Sequence, residues 1–169
     1  MRELQERRLV VAPLGLTGRR LLIPSAAVAV ITVDQVTKTL ALNHLDPDRP
    51  THVVGPLYLA LTYNSGAAFS LGTGVTPILE AVVVVLIVGL LIFSRRASRS
   101  GAIVASAALG LLLGGALSNM GDRLFRHLPV DGGVVDFIRA ASWWPVFNVA
   151  DSSIVIGVII LVLSWRGSA

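Results

Sequence analysis

The chain has 169 residues, of which 54% are hydrophobic and only 14% are charged, and its mean hydropathy is +0.76. This composition is too apolar for an ordinary soluble domain and indicates a membrane protein. The chain has no Cys, which excludes a disulfide, a thiol nucleophile and a lipid-modified Cys of its own.

Four apolar runs are long enough to cross about 30 Å of hydrocarbon, which takes roughly 20 residues. The sequence therefore predicts a membrane α-helical fold, a four-transmembrane-helix bundle in a single domain over residues 1–169. The predicted elements are a basic cytoplasmic arm at 1–20 and spans at 21–42, 77–93, 102–118 and 147–165. The first span follows Arg19-Arg20 like a signal peptide, but its apolar run is too long for one, so we expect a retained anchor.

The basic residues predict the orientation. Nine of the 14 Lys and Arg residues lie before the first span, between the second and third, or after the fourth. Because Lys and Arg in short flanking segments stay in the cytoplasm, both termini should be cytoplasmic and segments 43–75 and 119–146 should face outward. The pI of 10.6 then reflects topology, and no nucleic-acid partner is expected.

The first outer segment carries a strand pattern. Leu57, Leu59 and Leu61 alternate with less apolar residues among β-formers, which predicts a small extracytoplasmic β-containing segment. The strand runs into Asn64-Ser65-Gly66-Ala67-Ala68-Phe69, whose small residues indicate a tight turn or a short re-entrant element.

The third span has small residues on one face. Ser106, Gly110, Gly114 and Ser118 recur every four residues, which favours close packing against another helix. Continuing this face by four residues reaches Asp122 at the outer surface.

Two acidic residues near the C-terminal end are the strongest candidates for chemistry. Asp136 lies among apolar neighbours, and Asp151 opens the last span. A carboxylate at a membrane edge is costly to bury, so each needs a reason. The 14 residues between them contain Trp143, Trp144 and Pro145, which suits an interfacial loop or short helix that folds back and brings the carboxylates together. Two carboxylates that share one proton suit an aspartic protease.

Structural alternatives exist for both residues. Asp151 would also serve as an N-cap for the last span, because a carboxylate complements the exposed N–H groups there. Asp136 would also serve in an interfacial ion pair with Arg139 or Arg123.

Other charged residues have simpler interpretations. Asp34 and Lys38 are one helical turn apart, which favours a structural ion pair over a substrate role. Asp122 is predicted to orient Arg123, and Glu80 is interpreted as interfacial.

Five strings follow one another from Asp34 onward. They are Asp34-Gln35-Val36-Thr37-Lys38, Asn64-Ser65-Gly66-Ala67-Ala68-Phe69, Gly114-Gly115-Ala116-Leu117-Ser118-Asn119 with Asp122-Arg123, Val135-Asp136-Phe137, and Phe147-Asn148-Val149-Ala150-Asp151. In these strings and in their order the chain resembles the lipoprotein signal peptidases (signal peptidase II), a family of membrane aspartic endopeptidases.

The resemblance implies cleavage of prolipoproteins just before a diacylglyceryl-modified Cys, at the outer face of a bacterial cytoplasmic membrane. It implies membrane lipids as further partners, and no cofactor or metal is expected. The catalytic pair would be Asp136 and Asp151. Substrate-binding or supporting roles would fall on Asn64, Asn119, Arg123, Asn148, Gly66, Asp122, Asp34 and Lys38.

The chain departs from the family pattern in two ways. Ser118 stands where the family usually has Gly. The connection over 124–134 is longer than usual, and the stretch from Asp136 to Asp151 is shorter.

Alternatives from other classes are a small proton-coupled transporter and a non-catalytic lipid-binding membrane protein. Transporters place their carboxylates near the midplane and often have two similar halves, whereas the acids here gather at the outer edge and the halves differ. A metal site is not expected, because the sequence has no HExxH motif or comparable spacing of metal ligands. A Ser/Lys protease would need a neutral Lys38, which Asp34 would keep charged.

Overall fold

The computed structural model describes residues 16–65, 89, 103–129 and 133–166. The described elements are three helices, α1 (Leu16–His44), α2 (Ile103–Phe125) and α3 (Val149–Arg166), and three strands, β1 (Thr51–Val54), β2 (Leu57–Asn64) and β3 (Val134–Arg139). The predicted second span at 77–93 and the basic arm lie outside the described residues, apart from Gly89 and the start of α1.

Helix α2 packs against both α1 and α3. The small-residue face makes this possible, because a Cβ at Gly110 would lie 2.8 Å from the Ile23 carbonyl oxygen and one at Gly114 would lie 2.8 Å from that of Ala27. The predicted close packing of this face is therefore confirmed, and its partner is α1. An apolar core of Ile23, Ala27, Leu109, Leu112 and Leu113 fills the contact, with Ile154 and Leu161 of α3 packed on it.

The helices differ in length from the predicted spans. Helix α2 continues to Phe125, seven residues past the predicted end at 118, because polar Asn119 and Asp122 find buried partners there. Helix α3 begins at Val149 rather than at 147, since Phe147 still bridges to Ile138.

The helix surfaces suit lipid. Large apolar side chains on α1 and α3 point outward, among them Val28, which is 62% exposed, and Val155, which is 58% exposed. Leu21–His44 and Ile103–Phe125 are each long and apolar enough to cross a membrane, and Val149–Ser164 is a shorter apolar helix. The fold is therefore that of a membrane helical protein.

The strands form one antiparallel sheet in the order β1-β2-β3. The predicted strand at Leu57–Leu61 is confirmed as part of β2. Thr62 pairs with Asp136 and Asn64 with Val134, so the end of β2 lies beside the start of β3. Ala41, Leu61, Val135 and Phe137 form a second apolar cluster that attaches the sheet to the end of α1.

Candidate active site

Asp136 is the third residue of β3, and the strand buries it. Val135 and Phe137 join the apolar cluster beneath the sheet, and alternation along the strand turns Asp136 to the opposite face. The residue is 1% exposed. Its Oδ1 accepts a hydrogen bond from Asn148 Nδ2 at 2.6 Å, and its Oδ2 accepts one from Asn64 Nδ2 at 2.9 Å. Each carboxylate oxygen thus has an amide donor.

Asp151 lies in the first turn of α3, where it takes part in a capping box with Asn148. The Asn148 side-chain oxygen accepts from the Asp151 backbone N–H at 2.9 Å, and Asp151 Oδ2 accepts from the Asn148 backbone N–H at 3.1 Å. This reciprocal pair satisfies two of the free N–H groups at the helix start. Asp151 Oδ1 accepts from Asn119 Nδ2 at 2.8 Å, which ties α3 to α2.

The two carboxylates meet at Asn148. The side-chain amide of this one residue donates to Asp136, and its backbone N–H donates to Asp151. Burial raises the pKa of Asp136 from its ordinary value of 3.8 to about 6, and the charge of Asp151 acts in the same direction, while the hydrogen bonds from Asn64 and Asn148 oppose it. A neighbouring carboxylate pair of which one member holds a proton can act as acid and base in turn.

Asp136 and Asp151 together are called the aspartate pair. A buried ion-pair cluster (Asp34, Lys38 and Asp122) lies next to this pair. Lys38 is fully buried, and its Nζ lies 2.7 Å from Asp34 Oδ2, 2.9 Å from Asp122 Oδ2 and 2.7 Å from Asn119 Oδ1. An ammonium has three hydrogens to donate, so all of them are used. The predicted Asp34–Lys38 ion pair is confirmed, and it extends to a third charge on another helix.

The ion-pair cluster also holds the backbone beside each member of the aspartate pair. Asp34 Oδ1 accepts from the backbone N–H of Ala150 at 2.8 Å, next to Asp151. Asp122 Oδ2 accepts from the backbone N–H of Val135 at 3.2 Å, next to Asp136. Residues from α1 and α2 therefore set the relative position of β3 and α3.

The prediction that Asp122 orients Arg123 is wrong. Asp122 instead binds Lys38, Gln35 Nε2 at 3.0 Å and Arg126 Nε at 3.0 Å. Successive residues of a helix point about 100° apart, so the Arg123 side chain projects in a different direction from that of Asp122. Arg126 lies one turn further on the same side of the helix as Asp122. Among the described residues, the partly exposed Arg123 guanidinium has no hydrogen bond or ion pair.

The structural alternatives for the two aspartates are also wrong in detail. The N-cap of α3 is Asn148, and Asp151 is the third helical residue. Within the described part of the chain, Asp136 has amide partners and no ion pair with Arg139 or Arg123.

Three residues of this region were missed by the sequence interpretation. Gln35 donates to Asp122 and accepts from Arg126 Nη2 at 2.6 Å. Ser118 donates to Asp34 Oδ2 at 2.8 Å, a hydrogen bond that a Gly at this position could not make. The i,i+4 spacing of Asp122 and Arg126 is a signal that would have found the arginine.

The remaining predicted residues divide by position. Asn64, Asn119, Asn148, Asp122, Asp34 and Lys38 are brought together with the aspartate pair. Gly66, the rest of the predicted turn at 66–69 and Glu80 lie outside the described residues. Trp143 and Trp144 lie in the connection after β3, 78% and 51% exposed, with ring centroids 5.4 Å apart.

Comparison with known proteins gives consistent matches. The family described as "Signal peptidase (SPase) II" matches residues 26–166. A lipoprotein signal peptidase of Mycobacterium leprae (strain Br4923) is 44% identical over 151 residues, which cover 88% of this chain and 73% of that protein. A lipoprotein signal peptidase of Mycobacterium avium (strain 104) is 44% identical over 155 residues, which cover 90% of this chain and 83% of that protein.

A solved structure is also similar. It is described as a bacterial membrane enzyme determined by the in meso method at 1.9 Å resolution, and the TM-score is 0.71 at 29% identity. The match covers 83% of this chain and 89% of that one.

Proposed function

Because this chain belongs to the signal peptidase II family, we propose that it hydrolyses its substrate with Asp136 and Asp151 as a catalytic pair. The protein is an aspartic endopeptidase that removes the signal peptides of prolipoproteins. The observation that carries the proposal is that two carboxylates from different elements receive hydrogen bonds from one residue, Asn148.

The proposed chemistry needs one proton shared between the two carboxylates. The ionised carboxylate takes a proton from a water molecule, whose oxygen attacks the scissile carbonyl carbon. The protonated carboxyl donates its proton to the carbonyl oxygen, giving a neutral tetrahedral intermediate. The carboxyl that took the proton from water then gives it to the nitrogen of the scissile bond, and the other carboxylate takes a proton from a hydroxyl of the intermediate. The C–N bond breaks, which releases the amine and a carboxylic acid and restores the shared proton. The raised pKa of Asp136 supports this scheme, because it allows that carboxyl to hold a proton near pH 6.

Neighbouring polar residues are suited to substrate binding. Arg123 is partly exposed and has no partner among the described residues, so its five N–H donors are available for peptide carbonyls. Asn64, Asn119 and Asn148 hold the carboxylates and line the same region. Gly66, in the segment after β2, would allow the substrate backbone to come close, and the ion-pair cluster has a supporting role.

The proposed substrate is a prolipoprotein with a diacylglyceryl-modified Cys just after the scissile bond. We propose that its acyl chains lie in the bilayer against the apolar helix surfaces, while the bond reaches the aspartate pair at the outer face. The second span at 77–93 would complete a four-span bundle with both termini in the cytoplasm. The outward-facing apolar side chains of α1 and α3 support this arrangement.

The test is cleavage of a lipidated prolipoprotein by the purified protein, with and without a chelator, followed by mass spectrometry of the products. We expect cleavage immediately before the modified Cys, unchanged by the chelator. Asp136→Asn and Asp151→Asn should each lower kcat at least about 10³-fold, because each removes one partner of the proton exchange.

Asp48→Asn is the matched control, because Asp48 is exposed in the turn before β1. It should cleave at the wild-type rate. Full activity in either Asp136→Asn or Asp151→Asn, with the protein folded and inserted, would refute the assignment of the pair.

A further inference from the structure

The Lys38 ammonium fixes the orientation of the Asn119 side chain. An ammonium can only donate hydrogen bonds, so the Asn119 atom at 2.7 Å from Nζ has to be the amide oxygen. The other end of the amide, Nδ2, then points to Asp151 Oδ1 at 2.8 Å. Without such a partner, an Asn amide can turn by 180° with little change in shape.

Among the described residues, Lys38 is the donor that holds the Asn119 oxygen most firmly. Asn148 Nδ2 also approaches Asn119 Oδ1, but at 3.2 Å, and its two hydrogens are shared with Asp136 Oδ1 at 2.6 Å and the Val135 carbonyl oxygen at 3.3 Å. The contact from Lys38 is shorter and carries a full charge, and charge-assisted hydrogen bonds are the stronger kind.

The orientation of Asn119 decides which proton state suits Asp151. An N–H that points at the carboxylate stabilises its ionised form, and the capping box at the start of α3 adds a second N–H and the helix dipole. A turned amide would place its oxygen against Asp151, and only a proton between the two oxygens could relieve the repulsion. Asp136 is a strand residue, and among the described residues it contacts the start of α3 through the Asn148 side-chain amide rather than through a backbone N–H.

We infer that Lys38 is a positioning residue that acts through Asn119 to keep Asp151 ionised in the resting enzyme, so that the shared proton resides on Asp136. The inference rests on the proposed function and divides its roles. Asp151 accepts the proton of the attacking water, and Asp136 gives its proton to the carbonyl oxygen of the scissile bond.

The charged groups around Asp151 come from α1, α2 and β3. Asp34 and Lys38 come from α1, Asp136 comes from β3, and Asp122 of α2 contacts Lys38. Lys38 is the cation of this group that reaches the Asn119 amide, and Arg126 contacts Asp122 on its other oxygen.

The experiment measures kcat and KM against pH for the full chain in detergent or liposomes, with a lipidated prolipoprotein. The acid limb is the fall of kcat at low pH. With Asp151 as the base, this limb reports protonation of Asp151. Lys38→Met should move this limb to higher pH by about one unit, since the Asn119 amide is no longer held with its N–H toward the Asp151 carboxylate. The maximal kcat should fall roughly 10- to 100-fold with KM within about threefold, because the pair is mispositioned while substrate binding remains.

Asn119→Leu provides a second route, because it leaves Lys38 paired with Asp34 and Asp122. It should move the acid limb by a similar amount, and Lys38→Met combined with Asn119→Leu should move it no further. If Lys38→Met does not fold, the limb of Asn119→Leu decides. Arg126→Met is the matched control: it removes a cation from Asp122 but has no contact with Asn119, and its limb should match the wild type.

An unmoved acid limb in active Asn119→Leu would overturn the inference. So would additive shifts in the double variant or an equal shift in Arg126→Met, because these would indicate a general loss of structure or charge. Failure of the proposed function itself would look different, since Asp136→Asn or Asp151→Asn would then remain active.

Discussion

At the scale of the residue, Asp136 combines two unfavourable conditions, burial and a nearby like charge. Amide donors on both oxygens reduce the cost of the ionised form, but burial remains the largest influence on its pKa. This is expected of a group that holds a proton and releases it during a reaction, which is the role we propose for Asp136.

The raised pKa of Asp136 also affects stability. Because the folded protein binds this proton more tightly than the unfolded chain does, the stability contribution is fully present below about pH 4 and is lost as the pH rises through 6. We therefore expect Asp136→Asn to gain stability relative to the wild type between pH 4 and 7, by about 1–3 kcal/mol at the upper end. Thermal unfolding in detergent across this pH range measures the difference.

Asp48→Asn is again the control, since its exposed carboxylate should not change the pH dependence of unfolding. A wild-type stability that rises from pH 4 to 7 relative to Asp136→Asn would contradict a raised pKa.

At the scale of the element, α2 determines where the other two helices lie. Gly110 and Gly114 bring it close to α1, and Gly115 brings it close to the first turn of α3. The same helix carries Asn119 and Asp122 just beyond the glycines, so close packing and polar contacts lie on one continuous surface.

Gly115→Ala should disturb the start of α3. The added Cβ would lie 2.5 Å from the Ala150 carbonyl oxygen and 2.5 Å from Ser153 Oγ, and the backbone atom cannot move without shifting the helix that carries Asp151. We expect a loss of about 1–3 kcal/mol in stability, measured by thermal unfolding, and a lower kcat.

Gly121→Ala on the same helix is the matched control. Its Cβ would meet nothing within 4 Å, and Ala favours the helix. Equal losses in the two variants would show that the close contact with α3 is unimportant.

Particular residues explain how far the sequence could predict these elements. Apolar runs and the four-residue spacing of small side chains were sufficient for α1 and α2, and the alternation of Leu57, Leu59 and Leu61 was sufficient for β2. The end of α2 was predicted seven residues too early. Hydropathy places the end of the apolar run at the polar residues Asn119 and Asp122, and it contains no information on the buried partners that each of them has. Arg126 was overlooked although its i,i+4 spacing from Asp122 was visible in the sequence, whereas its contact with Gln35 on α1 is visible only in the structure.

At the scale of the whole molecule, the aspartate pair is assembled from distant parts of the chain. Asp136 and Asp151 were identified by their apolar surroundings and by resemblance, whereas their meeting at Asn148 depends on a bridge between Phe147 and Ile138 that no local pattern reveals. The sequence could therefore name the pair but not the contacts that position it.

The proposed topology can be tested because the chain has no Cys, so single cysteines act as reporters. Asp48→Cys, in the exposed turn before β1, should react with a membrane-impermeant maleimide in intact cells. Ser98→Cys, in the connection predicted to be cytoplasmic, should react only after the cells are permeabilised. The reverse pattern would invert the orientation and contradict an active site at the outer face.

The position of Asn148 links the geometry of the aspartate pair to the opening of the first turn of α3. The residue that bridges the aspartate pair also closes the first turn of α3, so a fraying event at that helix end removes the reactive geometry at the same moment. Helix ends open far more often than whole domains do. In the proposed mechanism, the fraction of time for which the aspartate pair is correctly placed would therefore depend on a local opening equilibrium of one helical turn. Contacts that hold this turn, such as that of Asp34 with the Ala150 N–H, would then support turnover as well as structure.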